Sequence, residues 1–288
     1  MKKIKEWIFK STIHLAALSA LIILAGIIIV LFYNGLPIFQ EVSLWEFISG
    51  RNWHPTFVEP EFGILPLITA SFFVTILSML ISIPLGLGSA IYLSEIASSR
   101  VREIVKPIIE LIAGIPSVVF GLFGLAFLAP LLTNWFGIPV GLNALNASII
   151  LGILVVPTIS SVSEDALAAV PSSLREASLA LGANRWETTW RVVLPAAKRG
   201  VVGSLILGFG RAVGETMVVI MIAGGAAQLP TSAFDPVRPM TSSIATEMAE
   251  TPMGTPHFHA LFGIAIVLFV ITFGLNIITE LAFRNRMK

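Results

Sequence analysis

Long stretches without a charged residue, separated by short charged segments, run the length of the chain. Each was tested against the ~20 apolar residues that a helix needs to cross a bilayer. They predict six spans, at about 13–33, 64–93, 108–132, 144–163, 201–223 and 260–283. The charge-free run 111–163 is too long for one helix, and turn signals at Thr133-Asn134 and Gly137-Ile138-Pro139 divide it. The first apolar run exceeds a signal-peptide core, and Leu31-Phe32-Tyr33 offers no small-residue cleavage site, so it is expected to stay as an anchor. Pro116 and Pro157 fall inside spans and are expected to kink or break them. Small residues such as Gly121, Gly124, Ser204, Gly208, Gly210 and Gly214 suit close helix packing in lipid.

Composition sharpens this picture. Of 288 residues 56 % are hydrophobic and 12 % charged, about half the ~25 % of a soluble domain. An all-α integral membrane protein with a single transmembrane domain, 1–288, is the fold class that results. A net charge of +1 supplies no basic face for nucleic acid. The absence of cysteine excludes disulfides and thiolate metal sites, and His257 and His259 have no carboxylate at ligand spacing, so no metal site is expected.

The basic residues set an orientation. Four precede the first span, three lie at Arg100, Arg102 and Lys106, five lie between Arg175 and Arg199, and three follow the last span, which leaves Arg51, Arg211 and Arg238 elsewhere. The positive-inside rule therefore predicts that both termini are cytoplasmic in a multi-pass protein of the cell (inner) membrane. Trp45 and Trp53 on the outer side, and Trp7 on the inner, are candidate interfacial anchors.

The cytoplasmic loop 164–200 carries the clearest local signals. Ser173 with Glu176 has capping-box spacing, which predicts a helix running to Leu181 with Gly182 as a left-handed stop. Asn184 with Glu187 repeats the pattern and predicts a second short helix that bears Trp186, Trp190, Val192 and Val193 and ends at Pro195. Two tryptophans in a cytoplasmic loop call for a partner.

Glu176-Ala177-Ser178, then Gly182 after three intervening residues, and Val192-Val193-Leu194-Pro195 after nine more resemble the coupling motif of binding-protein-dependent ABC importer permeases. That pattern reads Glu-Ala-Ala, three residues, Gly, nine residues, Ile-x-Leu-Pro; Ser178 replaces the second Ala and Val192 the Ile. The resemblance implies a type I ABC importer permease fold. It also implies that Glu176, Ala177, Ser178, Gly182, Val192, Leu194 and Pro195 seat on an ATP-hydrolysing subunit. No G-x-x-x-x-G-K-[ST] occurs, so this chain is expected to be no enzyme and to bind no cofactor, with ATP and Mg on the partner ATPase.

Arg211 and Glu215 stand four residues apart in the fifth predicted span, on one helix face. A charge at mid-bilayer costs roughly 2.5–3.5 kcal/mol on insertion scales, so such residues face the bundle interior. Either they compensate each other and fix packing, or Arg211 supplies positive charge to an anion in transit while Glu215 tunes it.

Gly114-Ile115-Pro116-Ser117-Val118-Val119-Phe120-Gly121, Gly210-Arg211-Ala212-Val213-Gly214-Glu215-Thr216-Met217 and Phe234-Asp235-Pro236-Val237-Arg238 are similar to segments of the PstC-type permease of phosphate importers. The resemblance implies Arg211 and Glu215 on the substrate path and a PstA-type second permease. It further implies two ATPase copies and an extracytoplasmic phosphate-binding protein that meets segments near 53–62 and 224–259. A permease for sulfate or molybdate is the neighbouring alternative. An intramembrane enzyme using Glu110, Arg211, Glu215 and His257 lacks a nucleophile–base constellation, and Glu110 is expected to pair with Lys106. A passive channel would leave the coupling loop without purpose.

Overall fold

The computed structural model describes the backbone of residues 2–284 and the side chains of Glu6 and residues 9–278. Thirteen helices follow one another in this region. They are α1 (Lys2–Gly35), α2 (Leu44–Ser49), α3 (Leu65–Ile91), α4 (Ser99–Ala113), α5 (Ser117–Phe123), α6 (Ala129–Phe136), α7 (Ala144–Ala168), α8 (Ser172–Ala180), α9 (Arg185–Thr188), α10 (Leu194–Val213), α11 (Met217–Ile222), α12 (Met240–Glu247) and α13 (Pro256–Arg284). A hairpin of two-residue strands, β1 (Trp53–His54) and β2 (Glu61–Phe62), pairs antiparallel with Trp53 opposite Phe62.

Six segments are long and apolar enough to cross a membrane: Phe9–Gln40, Leu65–Ile96, Ser117–Phe136, Ala144–Ala168, Arg185–Val213 and Pro256–Ile278. The first turns outward on nearly every side, with Leu15, Leu21 and Ile29 all more than 60 % exposed, a surface that only lipid or a partner can cover.

Three span boundaries differ most from expectation, each for a local reason. The third begins at Ser117 and not near 108, because Pro116 takes an extended ψ of 135° as the residue before α5 and separates it from α4. Residues 108–113 belong to α4, an amphipathic helix with no buried residue. The fifth span starts far earlier than 201. Pro195 does not end the second loop helix; a π turn at Thr189–Val193, closed by the Leu194 N–H on the Thr189 carbonyl, joins α9 to α10 as one rod. The widened turn accommodates a ring that would clash with a regular α turn. At its other end the rod stops at Val213, with Gly214 as its cap, and α11 begins only at Met217. Pro157 is carried within continuous α7.

The middle of the bundle packs α3, α7, α10 and α11 around Ile150, Leu154, Val155, Ile159, Val218 and Ile222. Ile159 is fully buried, and close approach is what buries it: a Cβ on Gly86 or Gly208 would lie 2.8 or 2.9 Å from its side chain. Asn146 of α7 donates to the Gly124 and Gly141 carbonyls at 3.1 and 2.9 Å, which stitches the third span to the fourth.

Two smaller cores close the ends. At the hairpin end, Phe47, Trp53, Phe62, Leu67, Met240 and Leu261 seal α2, the hairpin and α12 onto α3 and α13. Trp53 is 2 % exposed, so it is a core residue and no interfacial anchor, whereas Trp45 stays 77 % exposed. The Trp7 side chain lies outside the described residues. At the basic end, Ala90, Leu167, Val193, Ala197 and Val201 gather α3, α7 and α10 beneath α8.

Candidate functional site

Two sites stand out, one at mid-bundle and one at the basic end. At mid-bundle, Arg211 occupies the last turn of α10 and extends its guanidinium to α7, where Nη1 donates to Thr158 Oγ1 at 2.8 Å. Glu215 does not share its helix face, because the helix ends at Gly214. Its carboxylate instead accepts weakly from the Val218 N–H at 3.4 Å, and its carbonyl accepts from Thr241 Oγ1 at 2.8 Å. Among the described residues no carboxylate forms an ion pair with Arg211. The self-compensating pair, one of the two readings of the i, i+4 spacing, is therefore absent: a half-buried guanidinium with one hydroxyl partner retains most of its five donors.

At the basic end α8 begins at Ser172 behind Pro171, and no side chain caps it, so Ser173 and Glu176 form no capping box. Glu176 is exposed, and among the described residues no hydrogen bond or ion pair engages its carboxylate. The other end matches expectation. Gly182 adopts φ 89°, its N–H donates to the Leu179 carbonyl at 3.0 Å, and Ala183 N–H donates to the Ser178 carbonyl at 3.2 Å. These are the two bonds of a Schellman stop, which a residue bearing Cβ adopts only with strain. Asn184 and Glu187 make the full capping box, with both bonds at 2.9 Å. Ser178, which replaces an alanine of the motif, shares a 2.9 Å hydrogen bond with Thr188 and so ties α8 to α9.

The turn at Gly182 folds the two helices about a groove of about 550 Å³, lined by Ala177, Ser178, Leu181, Gly182, Glu187 and Val192. Leu194 packs inward, beside fully buried Val193, and Pro195 lies on the surface. Around the groove Leu181 is 90 % exposed, and Trp186 and Trp190 meet edge to face at 5.5 Å while both remain open to solvent. Exposed apolar side chains gathered in this way are a common mark of an interaction surface.

Ion pairs that sequence spacing did not reveal brace this end. Glu164 of α7, 1 % exposed, is held by Arg102 and by Lys106 Nζ at 2.6 Å, both from α4. Lys106 also reaches Asp165 at 2.8 Å; this contact, then Glu164, raises its pKa above the usual lysine value. Lys106 thus pairs across to α7 and not with Glu110. Arg175 of α8 pairs with Glu95 at the end of the second span. The adjacent acids Glu164 and Asp165 at the close of an apolar run were the only visible hint. Thr158 was missed as well, since a hydroxyl in a membrane helix ordinarily bonds its own backbone.

At the hairpin end, Glu247 gathers Trp53 Nε1 at 3.1 Å, Arg238 Nη1 at 2.8 Å and His257 Nε2 at 2.8 Å beside a cavity of about 510 Å³. His259 turns away and bonds the Asn34 carbonyl at 2.6 Å, so the two histidines share no ligand set. No cluster of three or more metal-ligating side chains occurs among the described residues.

The family model described as "Binding-protein-dependent transport system inner membrane component" matches residues 82–285, and the chain belongs to that family. It is 40 % identical over 259 residues to the probable ABC transporter permease protein YqgH of Bacillus subtilis (strain 168), covering 88 % of this chain and 84 % of that protein. It is 34 % identical over 287 residues to the phosphate transport system permease protein PstC of Mesorhizobium japonicum, covering 92 % and 86 %. Among solved structures, a chain of a bacterial alginate ABC transporter in complex with an alginate pentasaccharide-bound periplasmic protein superposes with a TM-score of 0.59. It shares 17 % identity and covers 94 % of this chain and 95 % of that one. The chain is thus a multi-pass ABC importer permease subunit and not the ATPase.

Proposed function

We propose that this permease forms the membrane passage of an ATP-driven importer for inorganic phosphate, with both termini and the α8–α9 surface in the cytoplasm. The observation that carries the substrate class is Arg211. A guanidinium inside an apolar bundle, paired with a hydroxyl and no carboxylate, is electrostatically incomplete, and a tetrahedral oxyanion completes it through bidentate donation. The named PstC relatives favour phosphate over sulfate or molybdate, which the same guanidinium would also fit. In this reading the groove and the tryptophans receive one of two ATPase subunits, which bind ATP and Mg so that this chain needs no cofactor. A PstA-type permease completes the passage, and a phosphate-binding protein docks at the hairpin end.

Reconstitution of the full assembly in proteoliposomes tests the assignment. Arg211→Ala is expected to assemble normally and to lose uptake by about ten- to hundredfold, the range for one charge-assisted bond of roughly 1.5–3 kcal/mol. Excess sulfate is expected to leave labelled phosphate uptake unchanged. Uptake unaffected by Arg211→Ala removes this residue from the path, and strong competition by sulfate transfers the assignment to another oxyanion.

A further inference from the structure

α8 carries the docking surface, yet only one of its residues, Ser178, is buried. Apolar packing therefore does little to fasten it to the bundle. One side chain does so by polar contacts. Arg175 Nη2 and Nε donate to the two oxygens of Glu95 at 2.7 and 3.1 Å, and Nη2 also donates to the Leu167 carbonyl at 2.8 Å. Its Nη1 donates to the Val170 carbonyl. Leu167 and Val170 lie at the end of α7, where helix carbonyls lack intrahelical partners and favour a cation. Glu95 stands on a π turn, Tyr92–Ile96, that prolongs α3, and Ser94 Oγ donates to its Oε1 at 2.8 Å. With a side-chain exposure of 8 % for Glu95 and 23 % for Arg175, water competes little for the pair.

We propose that Arg175 is the positioning residue that makes α8 move as one body with the second and fourth spans. α8 thus has two separate attachments. Through Gly182 and the Ser178–Thr188 bond it leads into the α9–α10 rod, and through Arg175 it holds α3 and α7. A displacement of α8 by the ATPase then reaches three spans at once. Without Arg175 it moves the rod alone, and the walls on either side of Thr158 and Arg211 fall out of step. This inference rests on α8 being the ATPase-docking element.

The test compares solute taken up per ATP hydrolysed by the complete reconstituted importer. In Arg175→Ala this ratio is expected to fall at least about tenfold, the factor for losing a charge-assisted bond, with Glu95→Ala close behind. The double variant is expected to be no worse than Arg175→Ala, because both remove one interaction. Arg175→Lys, which keeps the charge but loses the fork, is expected to restore part of the ratio. A purely structural role lowers the amount of assembled complex, and with it uptake and hydrolysis together, at constant ratio; that result overturns the proposal. A second readout needs no transported solute. Spin labels on Ser98→Cys and Ser172→Cys in this cysteine-free chain are expected to keep one separation with and without trapped nucleotide, and to shift with nucleotide only when Arg175→Ala is added. A nucleotide-dependent separation with Arg175 intact also overturns it. A wild-type assembly without ATP-driven phosphate uptake contradicts the proposed function instead, and leaves the label distances to judge the tie.

Discussion

The two ends of the bundle are both held by carboxylates with little solvent exposure, but in different ways. At the hairpin end one acid, Glu247, collects donors from β1, the 224–239 loop and the start of α13, segments that already share a continuous apolar core. At the basic end two acids, Glu164 and Glu95, reach separate partners on α4, which has no buried residue, and α8, where only Ser178 is buried. The first arrangement locks a cap. The second ties separate helices by ion pairs, at the end where the proposed ATPase contact lies.

Breaking the links ranks them. The largest effect is expected from Arg102→Ala combined with Lys106→Ala, which strands Glu164 in the interior without a cation. Such a buried unpaired charge costs about 3–5 kcal/mol, read as a large fall in thermal midpoint in detergent. Glu247→Ala comes next, since it leaves the buried Trp53 N–H without an acceptor at about 1–3 kcal/mol; Glu247→Gln, which keeps an acceptor, is expected to fall between that variant and wild type. Gly182→Ala is smaller still for stability, about 1–2 kcal/mol for forcing a Cβ into left-handed backbone. It is nevertheless expected to lower transport further than its melting shift alone would, because it reorients α8 against α9.

The mildest probe is pH, and it separates the ends by sign. The Thr231 N–H, with that residue's hydroxyl and the Ser232 N–H, holds the Asp235 carboxyl below the usual carboxylate range. Its contribution is present above the unfolded value and is lost as pH falls through the folded one. Lys106 is raised, so its contribution is present below the ordinary lysine value and is lost as pH rises through the folded one. Strong acid is therefore expected to loosen the 231–235 loop at the hairpin end, and strong alkali the α4–α7 contact at the basic end, as followed by limited proteolysis at each. Asp235→Asn is expected to remove the acid step alone.

Much of this was legible in the chain, for physical reasons. Apolar runs must be long to span lipid, so the locations of the membrane helices show through composition. The Gly182 stop and the Asn184–Glu187 box depend on contacts three to five residues apart, which spacing exposes. What spacing cannot expose is where a helix deviates. The π turn ahead of Pro195 converted an expected terminus into a continuous rod, and the break after Val213 separated Arg211 from the glutamate four residues on. Pairings across the bundle were equally hidden, since Glu95 and Arg175 are 80 residues apart and Arg211 and Thr158 are 53 apart. Trp53 was misplaced because its indole N–H finds a distant carboxylate that makes burial tolerable.

The rod from Arg185 to Val213, about 40 Å long at ~1.5 Å per residue, joins the docking tryptophans to Arg211, and its passing of motor movement to the passage is the central claim. Gly214, at its tip, is exposed with φ −85°, and a Cβ there would meet nothing closer than 3.5 Å, so Gly214→Cys introduces a reporter thiol without strain. The most direct measurement is the rate at which a membrane-impermeant thiol reagent, applied from the hairpin side, labels that cysteine in the full assembly. Fast labelling in the ATP-trapped state and protection in the nucleotide-free state are predicted; equal rates in the two states would contradict the claim.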